Sequence, residues 1–193
     1  MARSPLGSSP SCRRALALLV TFALVPGAGA VAEDRDRELE VQVKAEFIDR
    51  FTRFVEWPAS SFPSGDAPFV VCAVGGGMLA ERLRDVLTRS RPGGRSVQFR
   101  TPVADAQLGA CHLLYVSGSE RDRIVDIVRR VRNRPVLSVG DSTGYALHGV
   151  VINLYVDETA FVRFEINREA ALSGGLKLSA RLLSLARLVP ARE

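Results

Sequence analysis

The most recognisable chemical motif of the chain is the segment Gly75–Ala80, which follows an apolar run and opens a helical pattern. Its spacing fits G-x-G-x-x-A, in which glycine turns let the backbone approach a pyrophosphate group. The position about 20 residues further on, where an acid would bind the ribose, carries Arg100 instead. We therefore expect a strand-to-helix turn that requires glycine dihedral angles, and no cofactor.

Residues for metal or nucleophilic chemistry are sparse. The 2 histidines, His112 and His148, do not combine with other ligands at a zinc-like spacing, and no G-x-S-x-G elbow occurs. Acidic residues are plentiful, so an exported hydrolase that uses paired carboxylates remains open. The residues themselves predict no metal site and give no specific support to catalysis.

Recognition chemistry is better represented, first in the string Phe-Val-Glu-Trp-Pro at 54–58. It places the single tryptophan of the chain, with an acid, where a helix is expected to end. Aromatic residues often anchor protein interfaces. We predict that Phe54, Trp57 and Pro58 form a corner that binds a partner, although a position in the core remains open for the same side chains.

A second recognition candidate is the string Arg-Phe-Glu-Ile-Asn at 163–167, which alternates in polarity as a strand does. Its apolar residues would share one face of the strand, while Arg163, Glu165 and Asn167 share the other. A row of charge, acid and amide suits either a polar recognition surface or an ordinary solvated face. We include these three residues in the predicted partner-binding surface.

The domain that positions these residues is expected to begin after an export signal. Residues 1–14 contain arginines and no acid, and the apolar run Ala15–Val25 precedes small residues at positions 28–32. As a helix that run rises only about 16 Å, against roughly 30 Å of membrane hydrocarbon, so it cannot span a bilayer. The layout predicts a secretory signal at 1–30, cleaved near Ala30 or Ala32, and a periplasmic protein.

Removal of that segment changes the charge and the cysteine count. The formal charge of +5 falls to +2, because three arginines leave and all 21 acidic residues remain. A mildly basic exported chain gives no support to nucleic-acid binding. Cys72 and Cys111 remain, and in an oxidising compartment they point to one disulfide, with two buried free thiols as the alternative.

The remainder of the chain is expected to form a flexible leader at 31–38 and one α/β domain at 39–190. Its sheet should be mixed and mostly parallel, flanked by helices, with a β-hairpin and a helix at the C-terminal end. In a doubly wound order the first and third strands are neighbours, which would bring the two cysteines together. Strands are predicted at 69–74, 96–100, 111–116, 135–139, 150–156 and 161–166, and helices on the stripes 39–54, 79–87, 124–131 (capped by Ser119) and 178–189.

Over nearly the whole of this domain the sequence resembles the YfiR family of periplasmic proteins. No single string is decisive, but their order and spacing together are fairly specific. The matching strings are Lys44–Pro58, Phe69–Gly75, Cys111–Glu120, Pro135–Asp141 and Arg163–Asn167, followed by Ala170-Ala171 and a leucine-rich end.

The resemblance implies a single α/β domain, export to the periplasm and a regulatory rather than enzymatic role. It implies inhibition of an inner-membrane diguanylate cyclase through the periplasmic sensor domain of that enzyme, with release by an outer-membrane lipoprotein and possible homodimers. It also matches the Cys72–Cys111 pair to a structural disulfide of the family. A second cysteine pair found in the family is missing, because no cysteine follows Cys111. The alternative is a small-ligand sensor module that serves a histidine kinase or a transporter.

Overall fold

A central sheet with helices on both faces organises the protein. The computed structural model describes residues 28–190, so residues 1–27 of the predicted signal lie outside the described range. The strands are β1 (Val55–Glu56), β2 (Phe69–Val74), β3 (Val97–Arg100), β4 (Leu113–Val116), β5 (Leu137–Gly140), β6 (Ile152–Val156), β7 (Val162–Ile166), β8 (Lys177–Leu178) and β9 (Arg187–Leu188). The helices are α1 (Ala28–Thr52), α2 (Met78–Ser90), α3 (Ile124–Val131), α4 (Arg168–Ser173) and α5 (Ala180–Leu185).

The strand order in the seven-stranded sheet is β3-β2-β4-β5-β6-β7-β9. Strands β3, β2, β4, β5 and β6 are parallel, whereas β7 pairs antiparallel with β6, and β9 pairs parallel with β7. This arrangement confirms the α/β class, the mostly parallel mixed sheet and the late hairpin. A separate two-stranded sheet joins β1 to β8.

Each face of the large sheet carries its own hydrophobic core. The apolar stripes of α1 and α2 pack on one face, for example through Ile48 and Leu83, both fully buried. Helix α3 covers the other face through Ile124 and Ile127. Periodic apolar residues on the helices and continuous apolar runs in the strands explain this three-layer arrangement.

The predicted disulfide joins Cys72 on β2 to Cys111, which precedes β4, in the core beneath α3. The two Cα atoms are 5.9 Å apart, and the bridge closes a loop with a sequence separation of 39. In the chain-entropy model a loop of this length stabilises the fold by about 3–4 kcal/mol. The bridge forms because β2 and β4 are neighbours in the sheet.

The first helix begins earlier than expected. Residues 31–38, predicted as a flexible leader, belong to α1 in the structure. They contain no proline or glycine and are rich in glutamate and arginine, which are good helix formers. Glu38 also lies 3.6 Å from Arg82 of α2, which ties this part of α1 to its neighbour.

The end of the domain also differs from the prediction of one long helix. The leucine stripe at 178–189 is divided between β8, the short helix α5 and β9. Ser179 caps α5, because its hydroxyl accepts a hydrogen bond from the backbone N–H of Leu182. Beyond α5 the chain pairs with the free edge of β7, where Glu165 lies opposite Arg187. That free edge is the physical reason why the helix stops.

The predicted cap residue of α3, Ser119, does not cap that helix. Ser117 accepts a capping hydrogen bond from the backbone N–H of Ser119 at the start of a 3₁₀ turn, Gly118–Arg123, and α3 follows this turn without a side-chain cap. Between residues 28 and 190, no helix has the length and apolar character needed to cross a membrane.

Candidate functional site

The predicted aromatic corner lies where β1 leaves α1 and pairs with β8. The carbonyl oxygen of Phe54 accepts a hydrogen bond from the backbone N–H of Ser179 at 2.9 Å, which fixes the corner to the C-terminal segment. The side chains of Phe54, Trp57 and Pro58 are all half-buried. They are therefore part of the core and part of the surface at the same time, so neither of the two sequence interpretations applies alone.

Trp57 is held by two contacts. Its Nε1–H donates to the carbonyl oxygen of His112 at 3.2 Å, and its ring meets Phe69 edge-on with 5.3 Å between centroids. An indole with its polar atom satisfied and one edge exposed is a rigid, low-entropy element for a contact surface.

His112 is the polar centre of this region. Its Nδ1 accepts the backbone N–H of Val70 at 2.9 Å, so Nε2 carries the proton and donates to the carbonyl oxygen of Ser61, also at 2.9 Å. Burial lowers the pKa of His112, because the charged ring would lose its water and because Nδ1 must remain an acceptor. Both ring nitrogens of His112 are therefore engaged in hydrogen bonds inside the fold, which makes it a structural histidine.

A stack of flat groups extends outward from His112. The ring of Phe62 lies parallel to the imidazole at a centroid distance of 4.4 Å, and the Arg95 guanidinium lies 4.1 Å above the Phe62 ring. Arg95 also donates to the carbonyl oxygens of Ser64, Gly65 and Ala67. The loop beside the aromatic corner is therefore ordered by these stacking contacts and hydrogen bonds.

The polar row on β7 separates into an exposed residue and two buried ones. Arg163 is exposed and pairs with Asp157 at 2.8 Å, near the hairpin turn. Glu165 is only 4% exposed, and it accepts from the Asn153 amide at 3.0 Å and from the Arg187 guanidinium. Direct contact between Glu165 and a partner is therefore not supported, since β9 and Arg187 cover the carboxylate.

Asn167 is fully buried and has a structural role. Its Oδ1 accepts the backbone N–H of Ala170 at 2.9 Å and so caps α4, while its Nδ2 donates to the carbonyl oxygen of Ala146 at 2.8 Å. The predicted recognition row thus contributes only Arg163 to the surface. Sequence alternation could not reveal this, because the covering strand β9 was itself predicted to be helical.

A cluster of polar side chains lies at the carboxyl ends of the parallel strands β4 and β5. Asp141, which follows β5, accepts a hydrogen bond from the Tyr115 hydroxyl at 3.1 Å and lies 3.9 Å from the Lys44 ammonium. Its second oxygen, Oδ1, is buried with no hydrogen-bond partner among the described residues. Burial, followed by the charge of Asp141, raises the pKa of Tyr115, so the phenol stays a donor.

The glycine turn at 75–77 connects β2 to α2, as the sequence predicted for a strand-to-helix connection, and packs against the segment that follows β4. A Cβ at Gly75 would lie 2.6 Å from the Ser117 side chain, and its φ of +79° also requires glycine. The close packing of the two loops explains the glycine without any nucleotide. Among residues 28–190, no group of three or more His, Cys, Asp or Glu side chains is arranged to hold a metal ion.

Apolar surface that the sequence missed follows β7. Leu172, Leu185 and Leu188 are 57%, 70% and 54% exposed, although the last leucines were predicted to face the core. The sequence does contain an indication of this exposed surface, because its run of leucines is longer than the short helix α5 can bury. Together with the neighbouring corner at Phe54, these side chains are available for contacts with another protein.

The fold of residues 28–190 is an α/β domain with a mostly parallel mixed sheet. The model of the YfiR/HmsC-like family matches residues 41–187 of the chain. The protein therefore belongs to the YfiR/HmsC-like family, as the sequence resemblance indicated. No curated protein matches the chain significantly.

Solved structures extend the comparison at the level of the fold. A conserved domain protein from Vibrio cholerae O1 biovar El Tor is 16% identical with a TM-score of 0.50, and the match covers 79% of this chain and 60% of that one. The ABC domain from Streptococcus pneumonia in complex with L-Trp is 10% identical with a TM-score of 0.48, covering 77% of this chain and 60% of that one. The chain thus spans less than two thirds of either protein, and the first supports the α/β fold alone.

Proposed function

We propose that the protein is a periplasmic regulator that inhibits a membrane-anchored signalling enzyme of the diguanylate cyclase type by binding its periplasmic sensor domain. The observation that carries the proposal is the family match over residues 41–187, nearly the whole domain. The disulfide supports an oxidising compartment. Regulation by binding, rather than catalysis, also agrees with side chains that are mostly engaged in structural contacts.

The physical basis of such inhibition is a difference in affinity. A regulator that binds the inactive state of a receptor more tightly than the active state shifts the receptor by the ratio of the two affinities. An outer-membrane lipoprotein that binds the same regulator would relieve the inhibition by competition. The regulator itself can act as a monomer or as a homodimer in this scheme.

The proposed contact surface is centred on the aromatic corner, Phe54, Trp57 and Pro58. Half-exposed aromatic side chains that are already fixed in place lose little conformational entropy when they bind. Arg181 lies 6.0 Å from the Phe54 ring and adds a positive charge at the edge of the corner. The exposed leucines after β7 extend the apolar area.

Deletion of the gene tests the proposal directly. The cellular level of cyclic-di-GMP is expected to rise in the deletion strain and to return when the full chain is restored. A companion strain would express the chain with its first 30 residues removed, so that the same protein stays in the cytoplasm. That strain should behave like the deletion. An unchanged level of cyclic-di-GMP in the deletion strain would refute this partner class.

A small-ligand sensor that serves a histidine kinase or a transporter is the second candidate. It is favoured by the unpartnered Oδ1 of Asp141 at the carboxyl end of β5, since ligands of α/β sheets commonly bind at the carboxyl ends of the strands. A thermal-shift screen with amino acids and other small metabolites separates the two candidates. A ligand at 100 times its dissociation constant adds about 2.7 kcal/mol of stability. A clear stabilisation that the Asp141→Asn variant loses would favour the sensor.

A further inference from the structure

A large concave surface lies away from the aromatic corner, between α3, the turn Ala146–His148 and α4. It is an open groove of about 770 Å³. Small-molecule sites commonly enclose roughly 300–1,000 Å³ and combine an apolar lining with a few polar groups. The groove therefore has the size of a site for a small ligand.

The floor of the groove is apolar, with one hydroxyl. Val136 and Val151 line it and are each 3% exposed, and Val128 and Ala170 complete it. Ser138, which is 2% exposed, also lines the floor, and its Oγ accepts the backbone N–H of Val151 at 2.9 Å. The Ser138 hydroxyl proton has no acceptor among the described residues, so it can donate to a bound molecule.

The rim carries an excess of positive charge. Arg129, Arg132 and Arg134 line it together with His148, and Glu169 is the single acid among the lining residues. Arg129 is paired with Asp126 at 2.6 Å. Both arginines line the groove, and within residues 28–190 neither the Arg132 nor the Arg134 guanidinium forms an ion pair with a carboxylate.

Packing fixes one of these two arginines in place. The side chain of Arg134 lies against Gly109, so closely that a Cβ at that position would overlap it, and the carbonyl oxygen of Arg134 lies equally close to Gly174. A cation held by its neighbours loses less entropy on binding than a free surface arginine.

We propose that this groove binds a small anionic molecule with an apolar body, such as an aromatic or alkyl carboxylate, phosphate or sulfonate. The apolar body lies on the valine floor. The anionic group receives hydrogen bonds from Arg132 and Arg134, and the Ser138 hydroxyl donates at the base. None of Phe54, Trp57 and Pro58 lines the groove, so the inference goes beyond the proposed function and does not depend on it.

Two fluorescent probes that differ by one group test the inference. 1-Anilinonaphthalene-8-sulfonate has both the apolar body and the anion, and N-phenyl-1-naphthylamine has the same rings without the sulfonate. In titrations of the full chain we expect the sulfonate to bind at least about tenfold more tightly, the size of one charge-assisted hydrogen bond.

Substitutions then locate the site. Arg132→Glu should weaken binding of the sulfonate by about tenfold or more and leave the uncharged probe within about threefold. Arg132→Lys keeps the charge and should lose much less. Arg89→Glu is the matched control, because Arg89 is likewise exposed and without an ion pair to a described residue, but lies on α2. Thermal unfolding of each variant verifies that it folds.

A variant that is expected to strengthen binding makes the test independent of any loss of folding. Glu169→Gln removes the one carboxylate on the rim and should tighten sulfonate binding by about two- to threefold. The proposal is overturned if Arg132→Glu binds the sulfonate as the unmodified chain does, if Arg89→Glu weakens it equally, or if the uncharged probe binds as tightly as the sulfonate. The readout is binding of the probes and not the level of cyclic-di-GMP. A negative result here therefore does not contradict the proposed function, and an unchanged cyclic-di-GMP level in the deletion strain would not contradict binding in the groove.

Discussion

The two regions predicted to bind a partner differ in how far the fold buries their side chains. At the aromatic corner, all of Phe54, Trp57 and Pro58 remain half-exposed, and internal contacts hold them in place. On β7, the polar residues Glu165 and Asn167 are buried and satisfied inside the protein. Aromatic residues thus lie at the surface and an acid and an amide lie inside, which reverses the usual expectation.

The difference depends on which neighbours each region acquires. Strand β9 pairs only with Glu165 and Ile166, so it covers the end of β7 and leaves Arg163 in solvent. The corner gains only the two-residue strand β8, which is too short to cover it. An alternating pattern of polar residues in a strand therefore predicts a solvent-exposed face only when no other strand pairs with the edge of that strand.

The largest expected effect concerns Asn167. Its substitution tests whether the buried polar residues of the string 163–167 stabilise the fold rather than bind a partner. Asn167→Ala removes the cap of α4 and leaves the Ala146 carbonyl oxygen buried without its donor. We expect the free energy of unfolding to fall by about 2–4 kcal/mol, measured by urea denaturation. Arg163→Ala is the control and should stay close to the unmodified chain. Equal effects of the two substitutions would contradict the division of the row.

The same comparison shows how far the sequence could predict this protein. Continuous apolar runs identified the buried strands β2 and β4, and their adjacency led to the Cys72–Cys111 bridge. These features depend on local periodicity and on the rules for parallel sheets, both of which can be read from one sequence.

Features that depend on distant pairing were missed. The leucine spacing at the end of the chain predicts a helix. In the fold, however, this segment pairs with the free edge of β7, and Arg187 lies in a strand beside Glu165. The burial of Glu165 and the exposure of Leu185 both follow from that one pairing. Likewise, the groove beneath Arg132 is made by α3 and α4, which no sequence pattern places side by side.

The next prediction concerns the aromatic corner as a contact surface. Trp57→Ala is expected to weaken binding to the periplasmic domain of the partner enzyme by about 2 kcal/mol or more, as for an aromatic hot spot. Calorimetric titration measures the affinity, and urea denaturation separates it from loss of the contacts with His112 and Phe69. An Arg89→Ala variant provides a remote control. If a folded Trp57→Ala protein keeps full affinity, Trp57 is a core residue and the corner is not the interface.

A smaller effect is expected from pH at the same corner. The folded protein needs a neutral His112, because Nδ1 accepts the Val70 N–H and burial lowers the pKa of the ring. The unfolded chain, with a histidine pKa near 6.5, therefore binds the proton more readily. This contribution to stability is complete above about pH 6.5 and is lost as the pH falls through the pKa of the folded state.

The fluorescence of Trp57 reports on this change directly, since it is the only tryptophan and it donates to the carbonyl of His112. Urea unfolding followed by fluorescence at pH 7.5 and 5.5 should show lower stability at the lower pH. In His112→Asn, where an amide oxygen can accept the Val70 N–H without titrating, the difference between the two pH values should shrink. An undiminished difference would assign the acid sensitivity to other groups.

The smallest expected effect is at the hairpin turn, where Arg163 remains exposed. Hydrogen bonds from Thr159, then from Arg163 and the Phe161 backbone, lower the pKa of Asp157. A depressed carboxyl pKa means that the ionised carboxylate stabilises the fold; this contribution is complete above the unfolded value of about 3.9 and is lost only as the pH falls through the pKa of the folded state. Asp157→Asn should therefore be less stable than the unmodified chain at pH 7, and the difference should begin to shrink below about pH 3.9 and close only at still lower pH.

The salt dependence of that difference distinguishes an exposed pair from a buried one. Because Arg163 and Asp157 are in contact with solvent, added salt should weaken their interaction, whereas the buried Asn153–Glu165 hydrogen bond should be insensitive. Urea denaturation of Arg163→Gln and of Asn153→Ala, which removes the donor to Glu165, at low and at 1 M salt measures both. If the Asn153→Ala effect also disappears in salt, solvent reaches the carboxylate, and β7 is less covered by β9 than the structure indicates.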